Sequence, residues 1–131
     1  MRILLALNPF KGTLRSEKAG EAAARALKKI FRGSSCRVIP VSDGGDGFID
    51  CFRRRPGTKT VRLSVEGPVS KKVKAEYLLA GKEAYIEIAE ACGIKYLKDG
   101  RLNPLSASTF GRGELIQDAL KKGAGKMYLG L

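Results

Sequence analysis

Histidine is absent from this chain of 131 residues, so imidazole chemistry is excluded within it. Acidic residues are scarce: 13 Asp and Glu stand against 25 Lys and Arg, a formal net charge of +12. No apolar run approaches the ~20 residues that a membrane-spanning helix needs. The apolar stretch at residues 2–7 is too short for the core of a signal peptide. Repeats and low-complexity tracts are missing. Cysteine occurs three times, at Cys36, Cys51 and Cys92, an odd number with no metal-like spacing. Placed in expected strands and helices, these read as buried thiols of a reducing, cytoplasmic compartment. No Walker-type Gly-x4-Gly-Lys-Ser/Thr is present, and Gly111-Arg112-Gly113 lacks the third glycine of a dinucleotide fingerprint. The hydrophobic fraction of 44% is ordinary for a globular chain.

The most informative segment that is present is Asp43-Gly44-Gly45-Asp46-Gly47, directly after the apolar run Cys36–Val41. Glycine lets the backbone turn sharply and approach a ligand closely, and a carboxylate there can hold Mg²⁺ or take a proton. The plainer reading is a tight turn with Asp46 as N-cap of a following helix. A second loop, Asn8-Pro9-Phe10-Lys11-Gly12-Thr13, follows Ile3–Leu7 and precedes a helix starting at Ser16, a good N-cap. Ala19, Ala22, Ala23, Ala26, Leu27 and Ile30 share one face of that helix, and Gly33 ends it.

The chain thus opens strand, loop, helix, strand, loop, which implies parallel strands joined by a crossover helix. Ligands of such sheets bind outside the carboxyl ends of the strands. Both loops lie on that edge, where Lys11 can face Asp43, although a lysine is more often simply solvated. A third loop, residues 103–113, leads into the helix Glu114–Lys122. Its hydroxyls and glycines, with Arg112, suit an anion at a helix N-terminus, or form an ordinary cap.

The middle of the chain changes character. Residues 60–65, 73–79 and 84–89 read as short strands separated by turns at Gly67-Pro68 and Gly81-Lys82, connections that permit only antiparallel pairing. The expected architecture is a parallel, doubly wound α/β sheet interrupted by an antiparallel excursion. Strands fall at 1–7, 36–41 and 126–130, and helices at 16–31 and 113–122. Residues 1–60 and 101–131 make up the parallel part, and 61–100 the antiparallel part.

The loops, in this order, resemble the type-1 glycerate kinase family. The motifs that carry the likeness are Asn8-Pro9-Phe10-Lys11-Gly12-Thr13-Leu14, Pro40-Val41-Ser42-Asp43-Gly44-Gly45-Asp46-Gly47 and Val65-Glu66-Gly67-Pro68. Ile86-Glu87-Ile88-Ala89-Glu90-Ala91-Cys92-Gly93-Ile94 and Asn103-Pro104-Leu105 through Thr109–Ile116 complete it. The resemblance implies two α/β domains, one flavodoxin-like, and transfer of the γ-phosphoryl group of ATP to D-glycerate with Mg²⁺. By match, Lys11 and Asp43 are the expected catalytic pair. Gly12, Gly44, Gly45, Thr109, Gly111, Arg112 and Gly113 are expected to bind substrate or phosphate, and Asp43 and Asp46 to hold the metal. Asn8, Pro9 and Arg112 depart from the family pattern.

The family strand matching Lys126–Leu131 continues into a further glycine-rich loop. The chain therefore reads as the opening portion of a longer kinase, inactive alone and prone to associate with itself. Met127, Tyr128 and Leu129 read as a buried central strand. The net charge leaves a rival class, a basic module for nucleic acid or another polyanion, with Arg53-Arg54-Arg55 and Lys71-Lys72 its densest patches. The aromatics do not interleave with these clusters as a stacking platform would, so nucleic acid is not the expected partner.

Overall fold

The computed structural model describes residues 1–10, 12–97 and 104–131. Lys11 and Asn103 lie outside them. Strand β1 (Arg2–Leu5) pairs in parallel with β2 (Ser35–Val38), Arg2 opposite Ser35 and Leu5 opposite Val38. Helix α1 (Ser16–Ile30) is the crossover. Both strands are shorter than the apolar runs that announced them. One further ladder bond, Ile39 N–H to the Leu5 carbonyl at 2.9 Å, extends the pair. Pro40 then has no N–H to continue it.

The second sheet has the order β3 (Thr58–Glu66), β4 (Lys72–Ala80), β5 (Glu83–Glu87) and β6 (Lys126–Gly130). The pairs β3–β4 and β4–β5 are antiparallel, as the short turns require. The end of the third expected strand is instead helical: α2 (Ile88–Cys92) starts where β5 stops. Helix α3 (Phe110–Lys121) begins three residues before the expected start, so Gly111, Arg112 and Gly113 form its first turn rather than a loop.

Strand β6 does not join β1 and β2, as its grouping with residues 1–60 implied. It pairs in parallel with β5, Glu83 opposite Lys126 and Glu87 opposite Gly130. The cause is the crossover. Helix α3 packs on the second sheet through Leu115 and Ala119, and the N–H groups of Gly125 and Lys126 both bond the Lys82 carbonyl at the start of β5. Among the described residues β6 is therefore an edge strand, with Leu129 42% exposed, and not a buried central one.

Two apolar clusters cover the two faces of this sheet. Val65, Ala75, Tyr77, Ala84 and Ile86 meet Ala91, Leu115 and Ala119 of α2 and α3. On the other face Leu78 and Tyr85 meet Ile49, with Phe48, Phe52 and Tyr128 packed around them. Phe52 stacks on Tyr85 at 4.2 Å between centroids, and Tyr85 on Tyr128 at 4.8 Å. The 3₁₀ turn Ile49–Phe52 thus docks the loop after β2 onto the second sheet. The three cysteines are half-buried free thiols rather than fully buried ones.

Helix α1 uses only part of its apolar stripe. Ser16, Ala19 and Gly20 are buried, whereas Ala22 and Ala26 are exposed and Ile30 is 70% exposed. A two-stranded sheet covers one side of the stripe and no more. Gly20 sits so close to β2 that a Cβ there would lie 2.3 Å from Val38 Cγ1.

Candidate active site

Because β3 and β5 both run antiparallel to β4, and β6 runs parallel to β5, these three strands end at one edge, at Glu66, Glu87 and Gly130. All three loops gather along it. The loop 42–48 lies over the ends of β5 and β6. Gly44, at φ +104°, places its carbonyl against Gly130, where an added Cβ would come within 2.4 Å of it. Asp43 is exposed, and its Oδ1 accepts the Gly45 N–H at 3.0 Å. Ser42 Oγ accepts the Gly44 N–H at 3.2 Å. Asp46 caps no helix: the 3₁₀ turn is preceded by Phe48 and has no side-chain cap.

Ser16 is likewise not the N-cap expected of it. The helix is preceded by Arg15, and the Ser16 hydroxyl instead donates to the Leu7 carbonyl and accepts the Val41 N–H at 3.2 Å. One hydroxyl thereby ties the ends of the first two strand segments together and fixes where both loops start. A hydroxyl has one donor and two acceptor positions, which suits this bridge.

Between the loops lies a cavity of about 240 Å³. Gly12, Thr13 and Leu14 line it from the first loop, Asp46 and Gly47 from the second, and Glu87, Glu90 and Lys95 from β5 and the residues that follow. Asp50, Arg53 and Arg15 complete its charged wall. Of the residues expected at the site, Gly12 and Asp46 meet at this cavity. Asp43, Gly44 and Gly45 flank it, beside Leu131. Thr109, Gly111, Arg112 and Gly113 do not line it; they stand at the Glu66 end of β3, where the Ser108 N–H bonds the Pro68 carbonyl at 2.9 Å. A Cβ on Gly111 would lie 1.8 Å from the Glu66 carbonyl oxygen, so α3 can approach β3 only with glycine there.

The cavity's charges are largely paired. Arg53 Nε bonds Asp50 Oδ1 at 2.6 Å, and Lys95 Nζ bonds Glu90 Oε1 at 2.8 Å. Burial works against the Lys95 ammonium, but the Glu90 carboxylate outweighs it and raises its pKa. Glu87 is the deepest group, 3% exposed. Burial pushes its carboxyl above the usual range, against the pull of the Ile49 and Gly47 N–H groups. Motif reading passed over Glu87 as a site residue, because a lone carboxylate between Ile86 and Ile88 has the look of one polar face of a strand. Its signals in the sequence are an acid that interrupts an apolar run and its place in the segment Ile86–Ile94, one of those that carry the resemblance.

A larger groove of about 840 Å³ adjoins over the β3–β4 face and shares Arg15, Glu90 and Lys95 with the cavity. Among the described residues no group of three or more Cys, Asp or Glu side chains could hold a metal ion by itself. That does not conflict with a nucleotide-bound Mg²⁺, which is carried by phosphate oxygens and waters and takes one or two protein carboxylates. Asp46 is a carboxylate of this kind on the cavity wall.

The basic triplet after the 3₁₀ turn is engaged by acids. Arg53 pairs with Glu76, Arg54 with Glu17 and Arg55 with Glu83. Among the described residues no helix is long and apolar enough to cross a membrane.

Known proteins resemble this chain in sequence and fold. The chain is 35% identical over its whole length to a glycerate kinase of Bacillus subtilis (strain 168), of which it spans 35%. It is 30% identical over its whole length to a glycerate 2-kinase of Escherichia coli (strain K12), again spanning 35%. A crystal structure of a protein described as glycerate kinase 2 from Salmonella typhimurium LT2 superposes with a TM-score of 0.74 at 29% identity, covering 99% of this chain and 36% of that one. The chain therefore spans about a third of the length of the curated relatives it matches. Residues 3–131 match the glycerate kinase family, and the chain belongs to that family.

Proposed function

We propose that this chain forms the first third of an enzyme that transfers the γ-phosphoryl group of ATP to a hydroxyl of D-glycerate. The observation that carries the reading is the cavity with a charged wall between the first loop and the glycine-rich second loop at the strand ends, in a chain of the glycerate kinase family. A small cavity with both signs of charge on its wall suits a three-carbon hydroxy acid better than a nucleotide. Phosphoryl transfer asks a protein chiefly for positioning and charge stabilisation. Lys11 supplies the cation for the carboxylate or the transferred phosphate, and Asp43 orients the attacking hydroxyl. Gly12, Gly44 and Gly45 let substrate approach the backbone. Thr109, Arg112 and Gly113, at the start of α3, offer hydroxyl, guanidinium and backbone N–H groups to a phosphate, while Gly111 is committed to the Glu66 contact. When bound with the nucleotide, Mg²⁺ supplies charge neutralisation at the phosphates, with Asp46 and Asp43 as its protein carboxylates.

The setting is the cytoplasm, where ATP is available and Cys36, Cys51 and Cys92 stay reduced. Turnover needs the portion that the relatives carry beyond the matched third. The test is a chimera in which residues 1–131 replace the matching third of the Bacillus subtilis relative, assayed with ATP and D-glycerate. It should form ADP and phosphoglycerate. Lys11→Ala and Asp43→Asn should each lower kcat/KM about a hundredfold or more, ~2.7 kcal/mol of transition-state stabilisation. A soluble, folded chimera with no turnover, or with both variants at parental rates, would remove the reading. Binding of a polyanion is the weaker alternative, because each arginine of the densest cluster already has a carboxylate partner.

A further inference from the structure

The phosphoryl-transfer reading leaves the buried carboxylate on the cavity wall without a role. Glu87 is the last residue of β5, a strand with neighbours on both sides, and its carboxylate is buried. Its Oε2 accepts the Ile49 N–H at 3.2 Å across a separation of 38 residues. Among the described residues it makes no ion pair. A buried carboxylate is costly unless its hydrogen bonds repay the lost hydration. An apolar residue would serve β5 packing better, so the acid has a purpose beyond the core.

We propose that Glu87 is a positioning residue of the site, whose carboxylate anchors the far end of the second glycine-rich loop to the sheet and so sets the stance of both loops around the cavity. The beginning of that loop is held by the Ser42 and Asp43 side-chain bonds and the Ser16 bridge to Val41, whereas its far end is held by the packing of Phe48, Ile49 and Phe52 on the sheet and by the Glu87 carboxylate. Ile49 is the point where its far end meets a paired strand. The first loop is held through the second. Gly47, at φ +84°, lies so close to Pro9 that an added Cβ would be 2.9 Å from Pro9 Cγ. Moving residues 47–49 therefore moves the wall against which Pro9, two residues before Lys11, is seated. The same carboxylate faces Glu90 and Lys95, so its placement also shapes the polar interior of the cavity.

The inference rests on the phosphoryl-transfer reading for its purpose, but its test does not need turnover. Amide hydrogen exchange and ¹⁵N–¹H spectra are recorded on the full-length chimera described above and its variants. Glu87→Ala should speed exchange at Ile49 about tenfold or more, as loss of a buried charged hydrogen bond implies. It should also shift the amides of Gly44–Gly47 and Gly12–Leu14, leaving Leu115 and Ala119 in α3 unmoved. Glu87→Gln keeps the volume and one acceptor oxygen, so it should recover most of the protection at Ile49. If Glu87→Ala fails to fold, Glu87→Gln decides alone, through amide shifts confined to residues 44–49 and the first loop. Loop amides identical to wild type in the folded variants would overturn the proposal. So would changes spread evenly through α3 and the sheet, which would make Glu87 an ordinary core residue. The chimera assay reports separately on the activity itself.

Discussion

At the scale of single residues, two glycines two positions apart in the turn that follows Phe110 have opposite duties. Gly111 faces the Glu66 carbonyl at a separation no Cβ tolerates, whereas nothing lies within 4 Å of a Cβ built on Gly113. Gly111→Ala should therefore destabilise the chain by roughly 1–3 kcal/mol through overpacking. Gly113→Ala should be neutral or stabilising by up to about 1 kcal/mol, since alanine is the better helix former. Urea titrations of both variants measure this, and equal effects would contradict the packing described. The sequence made these glycines visible as a cluster but could not rank them. Their difference arises from contact with Glu66, 45 positions away. The loop 43–47 was legible because its glycines and acids announce themselves locally. Glu87 was not, because its meaning depends on a loop that folds over it from before β3.

At the scale of elements, carboxylates join strands to helices. Glu76 on β4 pairs with Arg53 and Arg62, Glu114 on α3 bonds the Glu66 N–H and Lys72, and Asp118 accepts the Tyr77 hydroxyl at 2.9 Å. Burial raises the carboxyls of Glu76 and Asp118, yet their cationic and hydroxyl partners win and hold both below the usual range. The Glu66 N–H holds Glu114 low in the same way. A depressed folded-state pKa contributes stability that is present above the unfolded value and lost as pH falls through the folded one. Glu87, raised chiefly by burial, has the opposite sign: its contribution is largest at low pH and is lost as pH rises through its raised value. Unfolding free energy should therefore fall from pH 5 towards pH 3. The stability of Glu87→Gln relative to wild type should increase from acid to neutral pH. Denaturant titrations across that range check both signs, and a flat profile would count against the pairings. Most elements were legible from β-branched runs and turn glycines. The choice of neighbour for β6 was not, because pairing in a sheet is settled by where α3 lands and not by the strand's own residues.

At the scale of the whole molecule, two sheets are joined by one docked loop, and the smaller is thinly covered. Leu4 points away from α1 by strand alternation and is 62% exposed, and Phe31 at the end of α1 is 45% exposed. An exposed apolar surface beside a short two-stranded sheet favours association. The 131 residues studied alone should self-associate with rising concentration, and light scattering behind size-exclusion chromatography measures it. A monodisperse monomer across the range would show that this surface is tolerated. The charge excess, by contrast, was legible in number but not in arrangement. Read along the chain, the triplet Arg53–Arg55 is a basic patch; in three dimensions its partners Glu17, Glu76 and Glu83 come from α1, β4 and β5.

The stacked rings of Phe52, Tyr85 and Tyr128 join the loop after β2, the centre of the second sheet and its last strand. The chain contains no tryptophan and four tyrosines, so its ultraviolet emission and its near-ultraviolet dichroism above the phenylalanine bands arise chiefly from tyrosine, with two of the four in this stack. The pair Tyr85–Tyr128, with rings 4.8 Å apart and inclined by only 4°, lies within the second sheet, and Phe52 of the docked loop stacks on Tyr85 at 4.2 Å, so the pair senses the loop through that contact. Undocking of the loop would strip Phe52 from one face of this intrinsic tyrosine pair and can be followed there without a label.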